Sequence, residues 1–433
     1  HRWGTQRGGT DNGEIRWYKY PNWTVTTIKK DPNFFGDAIV AMDIDGNGKT
    51  DVVVGKQRDK ISEVWVYFQQ ANNQWDEKKI SDLEEDSGPG SEIKDIEIHD
   101  MDGDGKSDIV VRTHSKVAVF FQNTNLTWDN KIITSETHEG MAVGNVGGSS
   151  KPDIVLNGFW YENDGSRNFV NWKKYDFDTS WVESSGKGYP LNSVTVRIVN
   201  MNNDASNDIV VCHSEKENMP LNWYQAVNPT QGVGGWIKHK VGMVDFCHSM
   251  DAYDFDNDGD TDIMMVELPR KTDSSAYLFT NNGSQVFAKS KIVDGGGYKA
   301  SVGDIDNDGD FDIISSKAWN TGVGHWDDGI VGSPLYFLQN NTSPPSDRIS
   351  LENWKRHIID PQKGWKTVMI SSADLDNDGY KDIVTGGWWY KNPKRPNGSW
   401  EKKVIGEPLH NMAVLFDVDG QNGIDVIGTK GGA

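Results

Sequence analysis

Residues 254–266 read DFDNDGDTDIMMV, an acidic loop followed directly by a short apolar strand. The chain repeats this combination at a spacing of roughly 50 residues, with an apolar strand before each loop. Every copy ends on an aspartate immediately before its second strand. Eight loops of this kind begin at Asp43, Asp100, Asn145, Asn200, Asp254, Asp304, Asp374 and Asp417.

Each loop and second strand are followed by two further strand-like segments. The third is aromatic, as at Trp160-Tyr161, Trp223-Tyr224 and Trp389-Tyr390, and the fourth is usually marked by a tryptophan. Four short strands per repeat are typical of a propeller blade. The sequence therefore predicts an all-β protein in which residues 1–433 form a single β-propeller of eight four-stranded antiparallel blades, with seven blades as the alternative.

The two ends of the chain predict how the ring closes. Residues 14–18 and 23–28 resemble third and fourth strands, whereas residues 412–416 and 425–429 resemble first and second strands. Together they complete one blade, and this pairing removes an open sheet edge that would otherwise invite aggregation.

Composition narrows the range of partners. The 433 residues carry a formal net charge of -20 and a pI of about 4.9, which disfavours nucleic acid and anionic membranes. No apolar run is long enough for a membrane span. Six Asn-x-Ser/Thr sequons favour a secreted, extracellular glycoprotein, which we expect to be a monomer; they start at Asn22, Asn125, Asn282, Asn340, Asn341 and Asn397.

Five of the eight loops have the residues needed for a hard cation. Alternate acidic side chains on a tight loop converge on one ion, and this oxygen-rich set predicts structural Ca²⁺. The predicted ligands are Asp43, Asp45, Asn47, Asp51, Asp100, Asp102, Asp104, Asp108, Asp254, Asp256, Asp258, Asp262, Asp304, Asp306, Asp308, Asp312, Asp374, Asp376, Asp378 and Asp382. The loops of blades three, four and eight have lost charge, so we expect them to bind metal weakly or not at all.

These loops resemble the calcium loops of FG-GAP propellers, and the resemblance covers essentially the whole chain. It implies a scaffold only, because such propellers serve as adhesion heads, lectins and carbohydrate lyases.

Functional residues are expected at the rim opposite the acidic loops. We call the side that carries the eight loops the acidic rim and the other side the opposite rim. Segments before each first strand and after each second strand lie at the opposite rim, because strand direction alternates. Predicted substrate-binding residues there are Lys56, Arg58, Asn157, His248, Glu267, Lys299, Lys317, Trp319, Trp388 and His410, and their many cations favour an acidic polysaccharide or oligosaccharide.

Imidazoles, a phenol and a guanidinium on one rim suit β-elimination of a uronate-containing glycan. A hydrolase would need two carboxylates, and this rim offers mainly Glu267. The predicted catalytic residues are His114, His138, Tyr189, Arg112 and His213. The histidine pair and later tyrosine resemble those of propeller-fold polysaccharide lyases of the ulvan and rhamnose-glucuronate type. That similarity implies His114 and His138 as base or acid, Tyr189 as proton partner and Arg112 as carboxylate neutraliser, although those lyases have seven blades.

Two other functions stay open at this point. A lectin would stack sugars on rim aromatics such as Trp319, Trp365 and Trp388, and a sugar dehydratase on the same scaffold would use similar chemistry. The only two cysteines, Cys212 and Cys247, each precede a histidine. A disulfide is the simpler interpretation, and a Zn²⁺ site is the alternative.

Overall fold

The structure is a computed structural model that describes residues 13–31, 38–58, 61–84, 93–134, 139–168, 171–181, 193–268, 273–316, 335–341, 354–363, 369–406 and 413–430. These residues form eight separate four-stranded antiparallel sheets. The all-β, eight-bladed prediction is confirmed, and the seven-bladed alternative is wrong. No helix in the described ranges is long and apolar enough to cross a membrane.

In chain order the strands are β1 (Gly13–Lys19), β2 (Thr24–Asp31), β3 (Ile39–Met42), β4 (Asp51–Arg58), β5 (Ile61–Gln69), β6 (Trp75–Glu84), β7 (Ile93–His99), β8 (Asp108–Thr113), β9 (Lys116–Gln122), β10 (Trp128–Thr134), β11 (Ala142–Gly144), β12 (Asp153–Val155), β13 (Phe159–Glu162), β14 (Lys173–Asp176), β15 (Val194–Val199), β16 (Asp208–His213), β17 (Met219–Ala226), β18 (Trp236–Val244), β19 (Cys247–Tyr253), β20 (Asp262–Glu267), β21 (Ser275–Asn281), β22 (Phe287–Asp294), β23 (Ala300–Gly303), β24 (Asp312–Ser316), β25 (Leu335–Asn340), β26 (Trp354–Asp360), β27 (Ser371–Ala373), β28 (Asp382–Thr385), β29 (Trp388–Lys391), β30 (Glu401–Val404), β31 (Ala413–Phe416) and β32 (Asp425–Lys430). Short 3₁₀ helices occupy Ala71–Asn73, Thr179–Trp181 and Pro229–Gly235.

The first strands of the blades surround the axis of the ring. Blade one is β3 to β6, blade seven is β27 to β30, and blade eight is β31, β32, β1 and β2. Each first strand contacts the first strands of both neighbouring blades, and β31 contacts β3, so the ring is closed. Most side chains on these strands are only partly buried, which indicates that solvent reaches the axis.

Blade eight joins the two ends of the chain, as the sequence predicted. Ile15 of β1 pairs with Thr429 of β32, and Trp17 pairs with Ile427. Ile15, Trp17 and Ile427 are buried together with Val52 and Val54 of blade one. Neither the N-terminal nor the C-terminal half of blade eight could bury these apolar side chains alone. The hydrophobic effect therefore stabilises the closed ring.

The core consists of layers between neighbouring blades. Side chains alternate between the two faces of a strand, so each apolar second strand contributes to two layers. In β8, Ile109 and Val111 pack toward blade one, whereas Val110 packs toward blade three. This explains why the second strands read as continuous apolar runs although their sheets are antiparallel.

A disulfide joins blades four and five. Cys212 of β16 and Cys247 of β19 are bonded, with their Cα atoms 6.1 Å apart, and both side chains are fully buried. The disulfide interpretation agrees with the structure. The zinc alternative does not, because neither sulfur is available as a thiolate ligand.

We predict that deleting residues 1–28 destroys the fold, because the deletion removes β1 and leaves the apolar face of β32 uncovered. Loss of the cooperative thermal transition in circular dichroism, or recovery only as aggregate, is the expected result. Deletion of residues 1–12 spares β1 and serves as the control. A soluble 29–433 fragment that melts like the full chain would contradict this closure.

Candidate functional site

The last aspartate of every acidic loop is a buried hydrogen-bond acceptor. In blade four, Oδ2 of Asp208 accepts the Met201 N–H at 3.0 Å and Oδ1 accepts the Ala226 N–H at 2.8 Å. One oxygen thus holds the loop and the other holds the end of the third strand. The same pair of bonds is made by Asp51, Asp108, Asp153, Asp262, Asp312, Asp382 and Asp425, and all eight carboxylates are fully buried.

Side-chain amides then connect one blade to the preceding one. Asn340, at the end of the third strand of blade six, donates through Nδ2 to the carbonyl of Phe255 in the loop of blade five at 2.7 Å. Asn392 donates in the same way to Ile305 at 2.7 Å, and Asn163 donates to Met101 at 2.6 Å. A loop residue such as Phe255 therefore donates its N–H to the final aspartate of its own loop, and its carbonyl oxygen accepts a hydrogen bond from an asparagine of the next blade.

Two more loop positions have the same role in every blade. The second residue is always apolar and buried: Ile44, Met101, Val146, Met201, Phe255, Ile305, Leu375 and Val418. The fourth has positive φ and is always glycine or asparagine: Gly46, Gly103, Gly148, Asn203, Asn257, Asn307, Asn377 and Gly420. Blades three, four and eight keep both positions and the final aspartate, so these positions serve the fold independently of charge.

The remaining acidic positions are those that suit a cation. In five loops, carboxylate oxygens of three aspartates lie within 4.8 Å of one another. In the described structure, buried Oδ1 atoms of Asp256, Asp306 and Asp310 have no hydrogen-bond partner. Burial, reinforced by the neighbouring Asp258, raises the pKa of Asp256 to about 7, and burial with Asp308 raises that of Asp310 to about 9. These oxygens fit the oxygen-rich shell of a hard divalent cation.

Asp310 was absent from the predicted ligands. It sits between Gly309 and Phe311, two residues before the final aspartate, and Asp260 occupies the same place in blade five. The extra acidic residue at this position in only these two loops was a signal that comparison of the repeats could have found.

The acidic loops of blades two and seven are partly neutralised by basic side chains. Arg167 approaches Asp104 of blade two, with Nη2 3.0 Å from Oδ2, and Lys394 Nζ lies 3.1 Å from Asp378 of blade seven. No basic side chain pairs with the carboxylates of the blade five and blade six loops within the described ranges. Among the described residues the blade one loop also lacks such a partner, but the loops of blades five and six each carry a fifth aspartate, so charge repulsion is least compensated in those two.

At the opposite rim, several predicted site residues are buried. Arg112 is fully buried and donates to the carbonyl of Gly140 and to Asn157 Oδ1, while Asn157 donates to the carbonyl of Trp181 at 3.0 Å. Burial lowers the pKa of Arg112 to about 10. Arg112 and Asn157 therefore connect blades two and three, which argues against their direct contact with a glycan.

Four further predicted residues are held inside the blades. His213 is fully buried, and its Nδ1 accepts the Glu215 N–H at 3.0 Å. Buried Lys56 lies 4.2 Å above the Trp65 ring, and buried Glu267 accepts the Ser275 N–H at 2.9 Å. One face of the Trp388 ring is covered by the Lys402 ammonium at 4.6 Å, which restricts sugar stacking there. His213 was predicted to be catalytic, and its burial argues against that role.

Other predictions lie outside the described residues and stay predictions. They concern His138, Tyr189, Lys317, Trp319, Trp365 and His410, together with the side chain of Arg58. His114 is described, is half-buried and lies in the turn between β8 and β9 at the opposite rim.

Three blades do converge at His248. Its Nδ1 lies 2.8 Å from the carbonyl oxygen of Tyr298 in blade six, and its Nε2 lies 3.8 Å from Glu215 Oε1 in blade four. The imidazole and the Tyr298 ring are 4.3 Å apart between centroids. The His248 side chain is 19% exposed to solvent, so the imidazole is accessible to a ligand although its orientation is held by these contacts.

Charged side chains of both signs line the nearby axis. Arg197 of β15 pairs with Asp251 of β19 at 3.0 Å. Desolvation, reinforced by Arg197, lowers the pKa of Lys299, and attraction from Asp95 and Asp251 opposes this change. Burial raises the pKa of Asp95 to about 6. Asp95 and Lys299 belong to blades two and six, so the axis brings together groups that are distant in sequence.

The structure places carboxylates near the axis, so the opposite rim is less positively charged than the sequence predicted. The sequence interpretation stressed cations, but Asp95, Glu97, Glu139 and Asp251 also lie along or beside the first strands. Sequence reasoning missed them, although charges at alternate positions of the otherwise apolar strand β7 were a usable signal.

Comparison with known proteins supports the repeat. A family model described as an FG-GAP-like repeat matches residues 254–315. A solved structure is similar over 98% of this chain and 100% of its own, with 17% identity and a TM-score of 0.46; it is described as the structural basis of specific recognition of non-reducing terminal N-acetylglucosamine by an Agrocybe aegerita lectin. No curated protein sequence matched the chain.

We predict that Asp208→Ala destabilises the protein whether or not calcium is present. It leaves the buried N–H groups of Met201 and Ala226 without acceptors, at a cost of about 1–3 kcal/mol each. Urea unfolding should show a loss of at least about 2 kcal/mol in both calcium and chelator. A loss confined to calcium-containing buffer would instead make Asp208 a metal ligand.

We predict that Asp256→Asn destabilises the protein in calcium-containing buffer and not in chelator. With calcium the variant should melt below the parent chain because it loses a ligand. In chelator it should melt at the same temperature or higher, because one repelling charge is gone. Asp204→Asn in the charge-poor loop of blade four is the matched control and should show little calcium dependence.

Proposed function

We propose that this protein is a secreted, calcium-stabilised propeller that binds an acidic glycan at the opposite rim and cleaves it by β-elimination. The observation that supports the chemistry is the arrangement around His248, a partly exposed imidazole of blade five held by groups from blades four and six. His248 was predicted to bind substrate, and we now assign it the proton transfer.

The contacts of His248 favour a base at Nε2. A hydrogen on Nδ1 donates to the carbonyl of Tyr298, which leaves the lone pair on Nε2. The carboxylate of Glu215, 3.8 Å away, stabilises the imidazolium formed after proton uptake. This arrangement supplies an oriented base with a nearby counter-charge.

Lys299 provides the charge that elimination needs. It directly follows Tyr298, and its side chain reaches solvent within the axis, where surrounding protein atoms still desolvate the ammonium in part. Its ammonium would neutralise the uronate carboxylate and so acidify the C5 proton. Nε2 of His248 takes that proton, the C4–O bond breaks as the C4=C5 double bond forms, and the departing oxygen takes a proton from a water molecule.

Hydrolysis is the second candidate, because the structure brings carboxylates to the axis that the sequence interpretation had not considered. Burial raises the pKa of Asp95 to about 6, and repulsion from Glu139 and Glu97 contributes to that rise. Glycoside hydrolysis requires two carboxyl groups, one of them with a raised pKa, and Asp95 is the candidate for that group.

Calcium has a structural role in this proposal. The acidic loops lie at the other end of the blades from His248, so bound ions would stabilise the ring by linkage and take no part in proton transfer. The monomeric state and the extracellular location remain part of the proposal.

We predict that the protein releases unsaturated products, detected by absorbance near 235 nm, from at least one of ulvan, gum arabic, glucuronan and pectic polymers. His248→Ala should lower the rate by roughly 10²- to 10⁴-fold. His239→Ala, on the outer strand β18, is the matched control and should keep full activity. His114→Ala and His138→Ala test the originally predicted pair.

The products separate the candidate functions. Saturated reducing ends without absorbance would favour hydrolysis, and glycan binding without any product would favour a lectin. Full activity of His248→Ala would exclude this imidazole as the base.

A further inference from the structure

All the exposed N-glycosylation sequons lie in one type of turn. Five of the six sequon asparagines are exposed, and each sits between the third and fourth strands of its blade. They are Asn22 in blade eight, Asn125 in blade two, Asn282 in blade five, Asn341 in blade six and Asn397 in blade seven.

This shared position puts the five asparagines on one rim. Strand direction alternates within a blade, so the turn between strands three and four lies at the same end as the loop between strands one and two. All five therefore lie at the acidic rim, whereas no sequon of the chain falls in the connections at the opposite rim, where His248 lies.

The asparagine of the sixth sequon is buried and hydrogen-bonded. Asn340 is fully buried, and its Nδ2 donates to the carbonyls of Phe255 at 2.7 Å and Phe311 at 3.3 Å. A glycan on this nitrogen would break the link between blades five and six. The adjacent Asn341 is exposed, and its Nδ2 lies 3.4 Å from the Gln339 carbonyl oxygen.

Contacts at other sites leave the reacting nitrogen uncommitted. Asn125 accepts the Thr127 hydroxyl through Oδ1 at 2.7 Å, Asn282 accepts the Ser284 N–H through Oδ1 at 3.0 Å, and Asn397 accepts Lys355 Nζ through Oδ1 at 2.8 Å. In each case the described contact engages the carbonyl oxygen and not the nitrogen that receives the glycan.

We propose that the acidic rim is the glycosylated face of this protein and that the opposite rim is kept bare for its ligand. Each accepting Nδ2 exchanges one hydrogen for a bond to the anomeric carbon of a lipid-diphosphate-linked oligosaccharide, and the lipid diphosphate leaves with that proton. The inference rests on the proposed secretion but is independent of the proposed chemistry at His248.

The overlapping sequons at residues 340–343 provide a sharp test. Thr342→Ala removes the sequon of Asn340 and preserves that of Asn341, whereas Ser343→Ala does the reverse. We expect full-length protein secreted from eukaryotic cells to lose one glycan in Ser343→Ala and none in Thr342→Ala, measured by intact mass before and after enzymatic deglycosylation. The reverse pattern would overturn the assignment.

Peptide mapping tests the whole face. Glycans on at least three of the five exposed asparagines and none on Asn340 support the proposal. Glycans on fewer than three, or on Asn340 in folded protein, overturn it. Enzymatic removal of the glycans from native protein should leave glycan cleavage or binding unchanged, and an altered rate after removal would show that the acidic rim contacts the ligand.

Discussion

A buried aspartate at the start of each second strand is the interaction on which the propeller depends. Its two oxygens hold the N–H of the loop and the N–H at the end of the third strand, as Asp208 holds Met201 and Ala226. Three of the four strands of a blade are thereby fixed relative to one another. Because the carboxylate is buried and accepts two backbone donors, its loss would leave polar groups unsatisfied inside the fold.

The same residue also explains how neighbouring blades are kept in register. The carbonyl of Phe255 accepts from Asn340 of the next blade while its N–H is held by Asp262. Blade five is thus linked to blade six through a single loop residue. Charge at the other loop positions is a separate feature, since the charge-poor loops of blades three, four and eight keep the aspartate. Calcium would therefore be added to a loop architecture that the backbone hydrogen bonds already define.

The distribution of charge follows from the exposed edges of the blades. Lysines recur on the outermost strands, where they discourage edge-to-edge pairing with another chain. They include Lys29, Lys30, Lys78, Lys79, Lys131, Lys173, Lys174, Lys238, Lys240, Lys289, Lys291, Lys355, Lys402 and Lys403. Many cations of this acidic chain thus lie on the outer edges of the blades, where they favour solubility. Fewer cations than the sequence interpretation predicted are therefore available to bind an anionic ligand at the opposite rim.

The sequence by itself determined the number of blades, the four-strand unit, the shared terminal blade and the acidic loops. These features depend on residues close together in one repeat, so periodicity reveals them. Only the tertiary structure decided which rim residues are accessible. Arg112 and His213 are polar residues at strand ends, yet inter-blade packing buries them, whereas His248, Glu215 and Tyr298 meet because three blades converge. Burial and convergence around the axis arise between repeats, and no pattern within a single repeat contains that information.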